Sequence, residues 1–311
     1  MTNPSAQFNF ARSRLIDSRI TFSRASTAYR NNQGGIMGSV AANVARLEHD
    51  PATLKSLGLL IEEQRTNYAQ ATEDIDNASY WTYANATRAT NSTTAPDGTT
   101  TADTWTATAG SASTLLSTSN ATGAGATVTN TFRIKKKDLD WIAIQCRAPN
   151  ASHFARVFFN ITTLAVGSNS QTGTQCVYVA NSASVKELPN DWREISATFT
   201  TTVATTTGAG LNMASADGNV SSGISAGNGY YIWGVNNQVG AFPTSYIPAT
   251  TAAVTRSADV ATVTGSNFTG IYNALKMSMV AAFRGQATGT SVIWQMDDAT
   301  ANERITRCPA R

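Results

Sequence analysis

The chain is 311 residues long, room for more than one compact core, and only 14% of it is charged, against about a quarter in an ordinary domain. Thr, Ser, Ala, Asn and Gly fill the difference, which suits short strands and exposed loops, so the expected fold class is all-β. A formal charge of +3 spread along the chain offers no basic stripe for neutralising phosphates, which argues against a nucleic-acid partner.

The opening MTNPSAQFNF has neither the basic n-region nor the apolar h-region of a secretory signal, and no apolar run approaches the roughly 18 residues of a membrane span. Synthesis in a cytoplasm without membrane insertion is expected. Residues 1–67 hold most of their charge in RSRLIDSRITFSR and ANVARLEHD, and turn signals interrupt them at RNNQGGIMG, Arg30 to Gly38, and at Asp50-Pro51. This stretch reads as an extended, irregular arm that needs another surface to lie on. In GLLIEEQRTNY the adjacent Glu62 and Glu63 suggest acid and base chemistry, but neighbours on a strand face opposite sides and cannot converge on one atom. Their expected role is structural.

From Tyr80 to about Pro248 the chain shows short alternating segments separated by Gly, Asn, Ser or Pro, the pattern of an antiparallel β-sandwich. Pro96, Asp97 and Gly98 suit a tight turn. The triplet Lys135, Lys136, Lys137, followed by Asp138 and Asp140, reads as a solvated turn before a strand. In WIAIQCRAP, Ile142, Ile144 and Cys146 alternate with Trp141, Gln145 and Arg147. In HFARVFFNIT, Val157, Phe159 and Ile161 alternate with Phe154, Arg156, Phe158 and Asn160. The run DWREISATFT predicts a core face of Ile195, Ala197 and Phe199 and a wet face of Trp192, Glu194, Ser196 and Thr198.

Rings mixed with Arg, Gln and Asn are what sugar recognition needs: flat apolar surface for a pyranose face, and donors and acceptors for its hydroxyls. Trp141, Gln145, Arg147, Arg156, Asn160 and Tyr178 are therefore candidates for a glycan groove; the alternative is that these aromatics cover a second core or a subunit contact. Neither a cofactor nor a metal is implied. Cys146, Cys176 and Cys308 cannot all pair within one chain and show no CxxC spacing, so they read as reduced, mostly buried thiols. His49 and His153, the two histidines, have no GxSxG elbow near them, and the acids form no nameable pair, so catalysis is not expected.

SYWTY, TAPDGTTTADTW, DWREISATFT and YYIWGVNNQVGAFPTSYIP together resemble the jelly-roll carbohydrate-binding modules of cellulases and xylanases in the version found in phage proteins. Around them, ITFSRASTAYR, AANVARLEHDPATLKSLGLLIEEQRTNY and TSYIPATTAAVTRSADV resemble modular tail-fibre and head-spike proteins of tailed phages. The resemblance implies a virion protein with an N-terminal docking arm over 1–67, a jelly roll over 68–257, and a host-surface polysaccharide and other virion proteins as partners. A purely structural capsid or tail role is the runner-up, and a polysaccharide-degrading enzyme a third reading. The resemblance assigns Trp105, Trp192 and Trp233 to packing and makes Trp81, Tyr83 and Trp141 the better sugar platforms. Fibres of this kind are often homotrimers, although no heptad seam encodes one here. Residues 258–311 resemble the opening strands of a concanavalin-like or laminin-G-like lectin sandwich, too short to close a core. Truncation is expected there, with Val280, Phe283, Val292 and Trp294 covered by other surfaces and Asp297 and Asp298 solvated rather than binding calcium.

Overall fold

In the computed structural model of the protein, the described residues are 6–108, 113–117, 121–122, 125–148, 152–202, 205–206, 208–272, 282, 294–297 and 304–307. Two antiparallel sheets make the body, and the chain crosses between them repeatedly in jelly-roll fashion. The first runs in the order 165–172, 154–160, 141–147, 208–214, 114–117, 81–84. The second is centred on the long strands Trp192–Thr201, Thr127–Lys136 and Gly229–Val239 and carries the remaining sandwich strands along its edges, apart from Ala121–Thr122 and Thr205–Thr206, which pair with each other alone. Among the described residues the helices are two and short, Phe10–Ser13 and Gly265–Thr269. The all-β sandwich expected from composition is what forms.

The core lies between the sheets. Ile142, Ile144 and Cys146 meet Phe132, Ile134, Ile195, Ala197 and Phe199 across it, so the strand alternations place their predicted faces inward. Trp105, Trp192 and Trp233 are fully buried, in the packing role assigned to them. Cys146 and Cys176, from opposite sheets, are buried free thiols whose sulfurs approach to 3.3 Å. Gly98, at φ 87°, closes the Pro96 turn by donating its N–H to the Ala95 carbonyl. The lysine turn is solvated as expected: Lys136 pairs with Asp140 at 2.5 Å and Lys137 with Asp138 at 2.6 Å.

The wet face assigned to DWREISATFT is a correction. Trp192, Ser196 and Thr198 are at most 1% exposed. The reason is a second hydrophobic cluster outside the larger sheet, in which Trp192 and Trp233 pack with Leu188, Tyr246 and, from the arm, Met37 and Tyr29. Beneath this cover Arg133 is buried, donating to Glu194 and to the Gly234 carbonyl and lying over the Tyr246 ring.

The arm is irregular in that its strands are only three to five residues long. Two hairpins form, Ala28–Asn31 with Met37–Val40 and Arg46–His49 with Ser56–Leu60. The surface on which the arm lies is the sandwich itself, and Arg65–Asn67 enters the larger sheet, pairing with Gly229–Val239 and Val254–Arg256. At the other end Trp294–Asp297 pairs with Arg304–Arg307. Val280, Phe283, Val292, Asp298 and Cys308, and the side chains of Trp294 and Asp297, lie outside the described residues, as do the expectations placed on them.

Candidate functional site: the outer face of the smaller sheet

Five of the eight expected glycan residues share the outer face of the six-stranded sheet. Antiparallel register sets Trp141 opposite Asn160, Gln145 opposite Arg156, and Arg147 opposite Phe154, so the residues alternate outward while their neighbours fill the core. The exposed part is narrower than the sequence suggested. Gln145 is 2% exposed and Asn160 9%, and both serve as supports. Gln145 Oε1 accepts from Arg156 Nε at 2.7 Å, and Asn160 Oδ1 accepts the N–H groups of Thr162 and Thr163 at 3.0 and 2.9 Å, holding the turn after its strand.

Trp141, Arg147, Phe154 and Arg156 are the half-buried members. Arg156 is fixed on three sides: Nε bonds Gln145 and also Asn212 Oδ1 at 3.1 Å, and its guanidinium lies 4.1 Å from the centre of the Phe154 ring. Trp141 packs against Ala143, Phe158, Ala214 and Val220. Its ring is held close by a glycine. A Cβ at Gly167 would stand 2.6 Å from the ring and 2.5 Å from Asp217, whose carboxylate accepts from the Ser168 N–H and hydroxyl and pins the 215–222 loop over this end of the face.

The remaining three residues stand elsewhere. Trp81 is a correction: at 1% exposure it belongs to the core, with Nε1 donating to the Gln70 and Ala71 carbonyls, and it presents no ring to a ligand. Tyr83 is exposed, but it pairs with Leu115, a core-facing residue, and so lies on the opposite side of the sheet from Arg156; the Arg88 guanidinium sits 3.7 Å from its ring centre. Tyr178 belongs to the other sheet, half-buried against Phe199, with its hydroxyl accepting the Ala183 N–H. Asn212 and Phe154 were absent from the sequence-based set. The alternation in HFARVFFNIT marks Phe154, whereas the register that brings Asn212 beside Arg156 depends on pairing between strands far apart in sequence.

A second cluster of charge is buried where the arm meets the segment after the jelly roll. Asp259 accepts from Arg24 Nη1 at 2.9 Å, from Arg46 and from the Glu62 N–H; Glu62 in turn takes Arg46 Nη1 at 2.7 Å and Arg256 Nη1 at 3.3 Å. Burial pushes the Glu62 carboxyl up, but Arg256 and Arg46 outweigh it and leave it below its ordinary value. Glu63, the adjacent acid, turns outward to Arg65, in keeping with the structural role expected of the pair. This is a clasp joining four separate stretches of chain.

Among the described residues no group of three or more His, Cys, Asp or Glu is placed to hold a metal. His49 is buried in the arm, while His153 Nδ1 accepts the Thr174 N–H. A cavity of about 530 Å³ opens in the arm, lined in part by Phe8, Phe10, Leu15 and Ile16. Comparison with protein-family models and with curated proteins found no match to this chain.

Proposed function

We propose that the protein is a non-catalytic structural and adhesion component of a tailed-phage-like particle, presenting the outer face of its smaller sheet to host-surface polysaccharide. The observation that supports this most is the combination on that face of half-buried rings, Trp141 and Phe154, with the guanidiniums of Arg147 and Arg156. A ring offers a flat apolar surface to the C–H side of a sugar, and a fixed guanidinium offers forked donors to its oxygens.

Docking on other virion proteins falls to the arm. Leu15, Ile36, Val44, Leu54, Leu57 and Ile61, all large and apolar, are exposed along it, a concentration suited to burial against a partner. A homotrimer in such a particle would multiply a weak single site into useful avidity. The competing reading, decoration or connection without sugar binding, draws support from the 215–222 loop that narrows the face beside Trp141.

The test is binding of the assembled protein to host-surface polysaccharide and a broad glycan array, alongside Trp141→Ala. Binding that the substitution abolishes, with the melting temperature retained, supports adhesion. An assembled, folded protein that binds no glycan transfers the assignment to structural decoration.

A further inference from the structure

Arg147 and Arg156 differ from the other arginines of the sandwich in what they lack. Buried arginines elsewhere, Arg24, Arg46, Arg133 and Arg256, each pair with a carboxylate. Among the described residues neither Arg147 nor Arg156 forms a salt bridge, although both are half-buried and stand diagonally across one strand pair on one face. No acid projects from that face of the 141–147, 154–160 or 208–214 strands, whose outward positions carry Trp, Ala, Gln, Arg, Phe, Asn and Gly. Asp217, in the loop beside the face, is engaged by Ser168.

The donor balance points the same way. Arg156 commits Nε to Gln145 and Asn212, leaving its two terminal nitrogens without an acceptor among the described residues, and the Arg147 guanidinium has no hydrogen-bond partner there. The Nδ2 of buried Asn212 also lacks an acceptor. Two like charges and surplus donors call for a ligand that brings acceptors and negative charge together. Burial, and then the neighbouring Arg147, hold the Arg156 guanidinium below its ordinary value, a cost that an incoming anion offsets.

We infer that this face selects acidic glycans, sugars bearing carboxylate or sulfate groups, with Arg156 as a pre-set fork for the anion and Arg147 as its second cation. The inference rests on the adhesion reading above. Gln145, Asn212 and Phe154 act through Arg156 by fixing its plane, which leaves little side-chain freedom to lose on binding.

The experiment compares four immobilised probes: polygalacturonate, chondroitin sulfate, neutral dextran, and polyglutamate as a polyanion without sugar. Retention of the two acidic glycans about tenfold or more above both dextran and polyglutamate is expected, weakening as salt rises. Arg147→Gln and Arg156→Gln should each reduce that retention about tenfold or more, Arg147→Gln at unchanged melting temperature and Arg156→Gln with a lowered one, since it leaves the buried Gln145 and Asn212 acceptors unpaired. Arg147→Gln serves as the decisive variant because no hydrogen bond among the described residues depends on its guanidinium. Dextran bound as tightly as the acidic glycans, and indifferent to both substitutions, overturns the anion selectivity while leaving adhesion intact. Equal retention of polyglutamate overturns it in favour of unselective charge attraction. Binding to none of the four by the assembled protein overturns both readings.

Discussion

Replacing Asp259 by Asn should be among the most damaging single changes in the protein, although it alters no hydrophobic contact. The side chain is wholly buried and takes hydrogen bonds from Arg24, Arg46 and the Glu62 N–H. Neutralising it leaves three buried guanidiniums, Arg24, Arg46 and Arg256, facing Glu62 as their one remaining counter-charge in the clasp, and turns an amide N–H₂ toward donors. Breaking a buried pair by removing one partner costs about 3–5 kcal/mol, because the surviving charge stays desolvated. The midpoint of thermal unfolding should fall by about 10 °C, at roughly 2–4 °C per kcal/mol for a chain of this order of size. Urea unfolding followed by tryptophan fluorescence measures the loss. Limited proteolysis locates it, with new cleavage expected between residues 24 and 62. Asp140→Asn, which removes the exposed Lys136 pair, is the control and should leave the midpoint unmoved. A loss below about 1 kcal/mol for Asp259→Asn would show that the clasp is solvated or repacks, and the reasoning would fail.

Three further outcomes follow from the packing. Trp81→Ala should destabilise by about 3–5 kcal/mol in urea unfolding, since the ring fills core volume; a variant of native stability that merely lost sugar binding would contradict its burial. Asp103 is buried, and burial, aided by Asp74 and Asp76, raises its pKa from 3.8 to about 6 against the pull of two backbone N–H groups. The folded state then holds this proton more tightly than the unfolded chain, so the Asp103 contribution to stability declines as pH rises from about 4 to about 6, by about 3 kcal/mol, and is level above that. Urea midpoints across this range, compared with Asp103→Asn, should show that slope vanish in the variant; an unchanged slope would place its origin elsewhere. Cys146 and Cys176 should resist a thiol reagent in the native protein and react promptly in urea, counted by mass; fast native labelling at either position would contradict their burial.

Inward faces were readable in the sequence because alternation of apolar residues survives whatever covers the other side. Ile195, Ala197 and Phe199 are the plainest case. The outward face of the same strand was not readable, since its cover comes from Met37 and Tyr246, which no local pattern connects to Trp192. The site divides along the same line. Trp141, Arg147 and Arg156 fall on one face because period two requires it, whereas Trp81 looked equally available and is buried by the depth of its position in the sandwich. Gln145 and Asn160 were placed on the correct face, but their engagement by Arg156 and by the Thr162 turn depends on side-chain geometry that spacing does not encode. Arg24, Arg46, Glu62, Arg256 and Asp259 all lay within the flanking motifs that carried the virion resemblance. Their convergence into one clasp was hidden by separations of up to 235 residues.

The position of that clasp has a mechanical consequence. Thr21–Ser23 pairs with Val260–Thr262 in antiparallel register, Thr21 opposite Thr262, and the Arg24–Asp259 ion pair occupies the next rung inward. Chain arriving before Thr21 and chain leaving after Thr262 therefore part at the same point. Tension drawn between them would peel this short ladder one rung at a time instead of sliding one strand past the other, and would meet the ion pair before it reached the jelly roll. The sandwich thus hangs to one side of the line of pull, like a pennant on a rope, and the face with Trp141 and Arg156 can keep its shape while the chain on either side is stretched.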